Sequence, residues 1–412
     1  MFPVPLRGSG HRVGTQNSPL RWTNMLHRIQ TINNISPLGL ERFDASKFGV
    51  SEDTSEPDAI MLRSQKIHEM AFDANLKAVG RAGAGVNNIP VERLTEIGVP
   101  VFNAPGANAN AVKELVIASL FIAQRNLIDA VSYTRGLQSS GDELDREVEG
   151  GKKKFVGNEV PGRTLGVIGL GAIGAEVANA AVALGMKVVG FDPGLTVESA
   201  WKLNRDVEQA ASVEAVFSSS EFITVHVPLM DATRNLVNKE SLAIMPDNAV
   251  ILNFARSGIV DDAAVIAALD AGKVKNYITD FPTTETIAHP GVITMPHLGA
   301  STAEAEENCA IMVADQLQDY LENGNIRNSV NFPSITLARK SDYRLCLIHK
   351  NVPDMVGQIS HLLGTSSVNI EHMINESKDA VACTLIDTAR EVPADTLENI
   401  FAIDGMIKAR QI

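Results

Sequence analysis

The sequence predicts an α/β protein built on doubly wound parallel sheets, with a small separate unit at its C-terminus. Short continuous Val/Ile/Leu runs alternate with helix-like segments from Ile60 onward. Such runs suit strands buried on both faces of a parallel sheet, and the alternation suits a doubly wound fold. A glycine-rich turn joins a strand to a helix between Thr164 and Gly194. After "NFPSITLARKS" the pattern restarts as strand, loop, amphipathic helix, strand, turn, strand, then a further helix and strand to 412.

The bulk numbers bound the function. A chain of 412 residues has room for two to three domains and a large core. Its formal charge of −13 argues against a general nucleic-acid or anionic-membrane binder, because the field repels phosphate polymers. A phosphorylated ligand must then be held by a few locally placed cations. Cys309, Cys346 and Cys383 are far apart and lack metal-ligand spacing, so a reducing, cytoplasmic setting is expected. No run approaches the roughly 20 apolar residues of a membrane span. Residues 1–24 carry Arg7, Arg12 and Arg21, and no acidic residue precedes Glu41. That composition fits a transit segment, but Pro and Gly break any amphipathic helix. A disordered extension, or a natural start at Met25, is the reading adopted.

Along the chain, "LKAVGRAGAGVNNI" (76–89) reads as a strand entering a glycine-rich loop, and 99–126 as strand, loop and long helix. The polar segment 136–163 reads as a connection. Five strands follow, in "TLGVIGL", "FITVHVPL", "AVILNFA", "KNYITDF" and "VITMPHL". The segment 303–324 is an amphipathic helix closed by Gly324.

In "TLGVIGLGAIGAEVANAAVALGMKVVGFDPG" a strand leads into Gly169-x-Gly171-x-x-Gly174, a helix opens, and a second strand ends at Asp192. With an acid 18 residues beyond the last glycine, this is a complete dinucleotide fingerprint. Gly169 allows the tight turn, Gly171 lets the backbone approach a pyrophosphate, and Gly174 lets the helix pack closely. The helix N-terminus supplies free N–H groups and a positive dipole end. Asp192 can accept from a ribose diol and would repel a 2′-phosphate, which favours NAD.

Three later strands end in polar residues, where open α/β sheets bind ligands. "AVILNFARSGIVDD" presents Arg256, "KNYITDFPTTET" presents Asp280 and Glu285, and "VITMPHLGAST" presents His297. Histidine suits proton transfer near neutral pH, a carboxylate on its far nitrogen would fix its tautomer, and arginine suits a substrate carboxylate. Glu285 and His289 have helical i, i+4 spacing, but in a Pro-flanked loop without a third ligand, so no metal is expected.

Over about residues 60–335 this set resembles the D-isomer-specific 2-hydroxyacid dehydrogenase family. The resemblance implies a Rossmann-type nucleotide-binding domain over 109–301 and a flavodoxin-like substrate domain over 25–108 and 302–336. It implies catalytic roles for Arg256, Glu285 and His297. It places cofactor contacts on Ala172, Ile173, His226, Pro228, Thr233 and Ala255, with Asp280 on the nicotinamide carboxamide and Gly299 beside the ring. Thr286 departs from the family, where proline usually follows the glutamate.

Arg63, Ser64, Arg81, Gly83 and Asn108 match substrate-domain positions of the members that oxidise phosphoglycerate. D-3-phosphoglycerate is therefore the expected substrate. A lysine of "GGKKKF" (150–155) reads either as reaching toward a phosphate or as a solvated charge cluster. The βαββαβ order of 342–412 resembles a ferredoxin-like ACT domain, which implies L-serine as effector, with contacts on His349, Asn351 and Asn369. Asp354 departs from that pattern, where glycine often follows the proline. A homo-oligomer, dimer or tetramer, is implied as well. The competing readings are another 2-hydroxyacid dehydrogenase, acting on hydroxypyruvate, glyoxylate or 2-oxoglutarate, and a non-enzymatic NAD-sensing corepressor.

Overall fold

A computed structural model describes residues 26–412; the extension expected over 1–24 lies outside them. Three sheets organise the chain. The first is all parallel, in the order β2-β1-β3-β4-β5, with β1 His27–Ile32, β2 Phe48–Ser51, β3 Ala59–Leu62, β4 Ala78–Arg81 and β5 Val101–Phe102. This is the flavodoxin-like strand order.

The second sheet holds β6 Thr164–Ile168, β7 Lys187–Phe191, β8 Val207–Gln209, β9 Phe222–Val225, β10 Ala249–Asn253, β11 Val274–Thr279 and β12 Val292–Thr294. Its order is β12-β11-β10-β9-β6-β7-β8, again all parallel. The order reverses between β6 and β9, which is the Rossmann switch point. Strands β9 and β10 are buried along their whole length, as their unbroken apolar runs require.

The third sheet is antiparallel, in the order β14-β15-β13-β16, with β13 Tyr343–Lys350, β14 Ile370–Lys378, β15 Val381–Thr388 and β16 Met406–Gln411. Helices Met355–Thr365 and Ala394–Phe401 complete a ferredoxin-like βαββαβ unit. The helices cover one face through Leu345, Leu347, Ile359, Leu363 and Ile386. The opposite face, with Cys346, Ile348, Cys383 and Leu385, packs onto Leu317, Tyr320 and Leu321 of the helix Ala303–Asn323. That helix starts on a Thr302 cap and stops at Gly324, which is left-handed at φ +74°. A Cβ on Gly324 would also lie 2.2 Å from Cys346 Sγ. The expected connection over 136–163 is more ordered than its composition suggests. It contains the helix Asp142–Gly151, whose first turn is acidic and favours the helix dipole, followed by a 3-10 turn over Lys152–Phe155. Among the described residues no single helix is long and apolar enough to cross a membrane.

Within the C-terminal sheet a fully buried ion pair links β13 to β15, and its arginine ties the sheet to the body. Arg344 Nε and Nη2 donate to Asp387 Oδ1 and Oδ2 at 2.6 and 2.9 Å, and Nη1 donates to the carbonyls of Asn323 and Leu337. Burial opposes the Asp387 charge, but the Arg344 hydrogen bonds and the Lys340 amide outweigh it and hold its pKa below the ordinary value. Its contribution is therefore complete at neutral pH and lost as pH falls through the depressed pKa. Arg344→Met leaves Asp387 buried and uncompensated, so chemical denaturation should show a loss of about 3–5 kcal/mol at pH 7. That loss should shrink in acid.

Candidate active site

Every expected cofactor and catalytic residue of the second sheet lies at the carboxyl ends of its parallel strands. At the end of β6, Gly169 is left-handed at φ +91°, and a Cβ there would meet the His226 carbonyl oxygen at 2.7 Å. At Gly174, in the first turn of the helix Ala172–Ala183, a Cβ would fall 1.9 Å from the Gly169 carbonyl oxygen. These two glycines are demanded by backbone contact. Gly171 is different: nothing lies within 4 Å of its Cβ position, and no side chain caps the helix it begins. The first amides of that helix, at Ala172 and Ile173, thus face open space with the positive end of the dipole. The site fits a dinucleotide diphosphate.

Asp192, at the end of β7, accepts from Leu170 N and Gly194 N, both at 2.8 Å. It braces the glycine loop from one side and keeps acceptor directions for a ribose diol. After β9, Thr233 Oγ1 donates to the Pro228 carbonyl and accepts from Met230 N, closing the turn that carries both expected contacts. His226 places Nε2 2.9 Å from Thr224 Oγ1, while Nδ1 is buried without a partner. Burial pulls its pKa down to about 4, so the ring is neutral.

His297 sits in a left-handed conformation, φ +56°, just beyond β12. Its exposed ring packs against Phe281 at a centroid distance of 5.0 Å. Asp280 fixes this loop: its two oxygens accept from Leu298 N and Gly299 N, both at 2.7 Å, and its carbonyl accepts from His297 N. Asp280, the residue expected at a nicotinamide carboxamide, is engaged here with its own chain's backbone. The carboxylate is 1% exposed, and each oxygen serves a backbone amide. Gly299 is needed here because a Cβ would stand 3.1 Å from Asp280 Oδ2.

Glu285 occupies the first turn of the helix Thr284–Ala288. Thr286 forms a capping box with Thr283, so the departure from proline preserves the helix start by another route. The expected Glu285–His297 pair is not closed in this structure. Both side chains are exposed and no hydrogen bond joins them among the described residues. The capping box fixes the glutamate's turn and the Asp280 clamp fixes the histidine's loop, each independently.

Arg256 follows β10, where buried Asn253 accepts from Ala255 N and donates to the Arg256 carbonyl. The Arg256 guanidinium donates to the Ala255 carbonyl and points across the cleft to the first sheet's loops. The Cβ position of Gly85 lies 3.5 Å from Arg256 Nη2 and 3.9 Å from Arg81 Nη1, so two guanidiniums meet over one glycine. Arg81 lies against Gly83, and its Nε donates to the Arg63 carbonyl at 3.1 Å. Burial first, with help from the Arg256 and Arg63 charges, pulls its pKa below the ordinary arginine value. Ser64 is exposed beside Arg63, and Asn88 holds the Arg63 loop through the carbonyls of Arg63 and Gln65. Asn108 begins the helix Ala109–Arg125 and keeps a buried Oδ1 without a partner. Asn88, Asn253 and Phe281 were not expected; nothing in one sequence distinguishes a buried bracing asparagine from a loop asparagine.

The remaining expected residues gather less well. His349 is 2% exposed, with Nδ1 2.8 Å from the Lys350 carbonyl and Nε2 2.9 Å from Thr384 Oγ1. Both ring nitrogens are engaged inside the sheet. Asn369 immediately precedes β14, whereas Asn351 donates to the Asp379 carbonyl just beyond its other end, and both are exposed. Asp354 takes the left-handed conformation, φ +69°, that glycine would favour. Lys152 pairs with Glu149 and Lys154 lies over the Tyr133 ring, as a solvated cluster would.

Residues 127–299 match the family described as "D-isomer specific 2-hydroxyacid dehydrogenase, NAD binding domain". The chain is 32% identical over 348 residues to D-3-phosphoglycerate dehydrogenase of Haemophilus influenzae, covering 81% of each chain. It is 38% identical over 290 residues to the enzyme of that name from Synechocystis sp., covering 68% of this chain and 50% of the relative. Against several such curated relatives the chain spans only about half of their length. A solved NAD+-bound 3-phosphoglycerate dehydrogenase of Entamoeba histolytica superimposes with a TM-score of 0.57 at 25% identity, over 74% of this chain and 99% of that one. The chain belongs to the D-isomer-specific 2-hydroxyacid dehydrogenases.

Proposed function

We propose that the protein oxidises D-3-phosphoglycerate to 3-phosphohydroxypyruvate with NAD, the entry step to L-serine. The observation that carries this reading is the convergence of Arg63, Arg81 and Arg256, from two different sheets, on one cleft of an acidic protein. Phosphate and carboxylate on one small molecule call for such a local cluster. Relatives at 32–38% identity that bear this enzyme's name support the same choice over other hydroxy acids.

Arg256 holds the substrate carboxylate and polarises the oxygen at C2, while Arg63 and Arg81 hold the phosphate end. His297 takes the hydroxyl proton. Glu285, on closing toward the ring, stabilises the imidazolium that results. NAD, with its pyrophosphate held at the Gly171 loop, would supply the nicotinamide that accepts the hydride leaving C2. Asp280 acts behind His297 by fixing its loop.

The test is NADH formation with 3-phosphoglycerate, glycerate, lactate and 2-hydroxyglutarate. Activity selective for the phosphorylated acid supports the proposal; turnover of unphosphorylated acids alone removes it. His297→Asn should lower kcat by about 10²–10⁴ while leaving NAD binding by fluorescence titration intact. Arg63→Ala should lower kcat/KM about ten- to a hundredfold for 3-phosphoglycerate and little for glycerate.

The C-terminal unit is proposed as an ACT-type regulatory module. Its exposed Asn351 and Asn369 amides remain the candidate serine contacts, and L-serine added to the same assay tests them. A homo-oligomer is supported by the exposed apolar stretch of Phe121, Leu127, Ile128 and Val131 on the helices Ala109–Arg125 and Leu127–Gly136. Light scattering should find an oligomer for the native chain and a smaller species for Ile128→Asp with Val131→Asp.

A further inference from the structure

Arg63 does not stand free in the cleft. Its Nη2 is paired with the carboxylate of Glu306, near the start of the helix Ala303–Asn323. Both side chains remain about two-fifths exposed, at 39% and 42%, so a solute can reach and replace either partner. Buried Cys309, one turn along the helix, feels Arg81, Arg63 and Glu306 together, which places all four groups in one corner. Arg81 in turn feels Arg256 and Arg63. Three guanidinium groups thus crowd the cleft, and Glu306 is the carboxylate paired with one of them.

We infer that Glu306 is an internal counter-ion that competes with the substrate phosphate for Arg63, and so sets the enzyme's preference for phosphorylated over unphosphorylated acids. The inference rests on the reading of this cleft as the site of a phosphorylated hydroxy acid. Without ligand, the carboxylate relieves repulsion among the arginines. With ligand, a phosphate oxygen takes its place on the Arg63 guanidinium and Glu306 turns to water. Glu306 acts through Arg63 and is a positioning residue, distant from the chemistry at C2.

The variant is Glu306→Gln in the full chain, which keeps a hydrogen-bonding group for Arg63 and removes the competing charge. KM for 3-phosphoglycerate should fall about three- to fivefold, the scale of a half-exposed ion pair, with kcat unchanged and KM for glycerate unchanged. The inhibition constant of inorganic phosphate should fall by the same factor. Phosphate should raise the thermal midpoint of the variant more than that of the native chain. Glu304→Gln removes the same charge from the exposed first turn and should leave all of these values unchanged. An unchanged or raised KM together with unchanged phosphate inhibition overturns the inference. Turnover of unphosphorylated acids alone, combined with tighter phosphate binding by calorimetry in Glu306→Gln, removes the substrate reading and leaves the counter-ion standing.

Discussion

The helix Ala303–Asn323 is the element that joins the first sheet to the C-terminal sheet, and close packing along its apolar stripe is the constraint the rest depends on. Val313 and Leu317 press onto β4 at Gly80, where a Cβ would stand 2.5 Å from Val313 Cγ1. Ala310 presses onto Gly39, where a Cβ would come equally close. Farther along, Leu317, Tyr320 and Leu321 receive the face of the C-terminal sheet. Interiors packed this densely transmit displacement rather than absorb it. One helix therefore carries the Glu306 partner of Arg63 at its start, the first sheet along its middle and the C-terminal unit at its end.

Carboxylates do much of the bracing in this acidic chain. Asp192 holds the glycine loop, Asp280 holds the histidine loop, and Asp387 holds the C-terminal sheet through Arg344. In each case a buried or half-buried acid takes at least two hydrogen bonds, Asp192 and Asp280 from backbone amides and Asp387 from a guanidinium and the Lys340 amide. The arrangement fixes backbone behind the candidate site and leaves the side chains of His297, Glu285 and Arg256 exposed. Rigid support behind solvent-facing groups suits a site that closes on its ligand.

The sequence by itself determined the strand-and-helix alternation, the dinucleotide loop with its acid, and the strand ends bearing Arg256, Glu285 and His297. Those features are local: hydrophobic periodicity, glycine spacing and the register of a residue within its own strand or turn. The restart into a βαββαβ unit was legible for the same reason. Tertiary structure alone decided what non-local contacts decide. It turned Asp280 into a loop clamp, closed both nitrogens of His349 within the sheet, and set Asn351 and Asn369 a strand's length apart. It also brought Glu306 onto Arg63 across 243 residues of chain. No spacing rule reaches that far, because which buried amide or which arginine a carboxylate meets is fixed only when the packed helix puts them side by side.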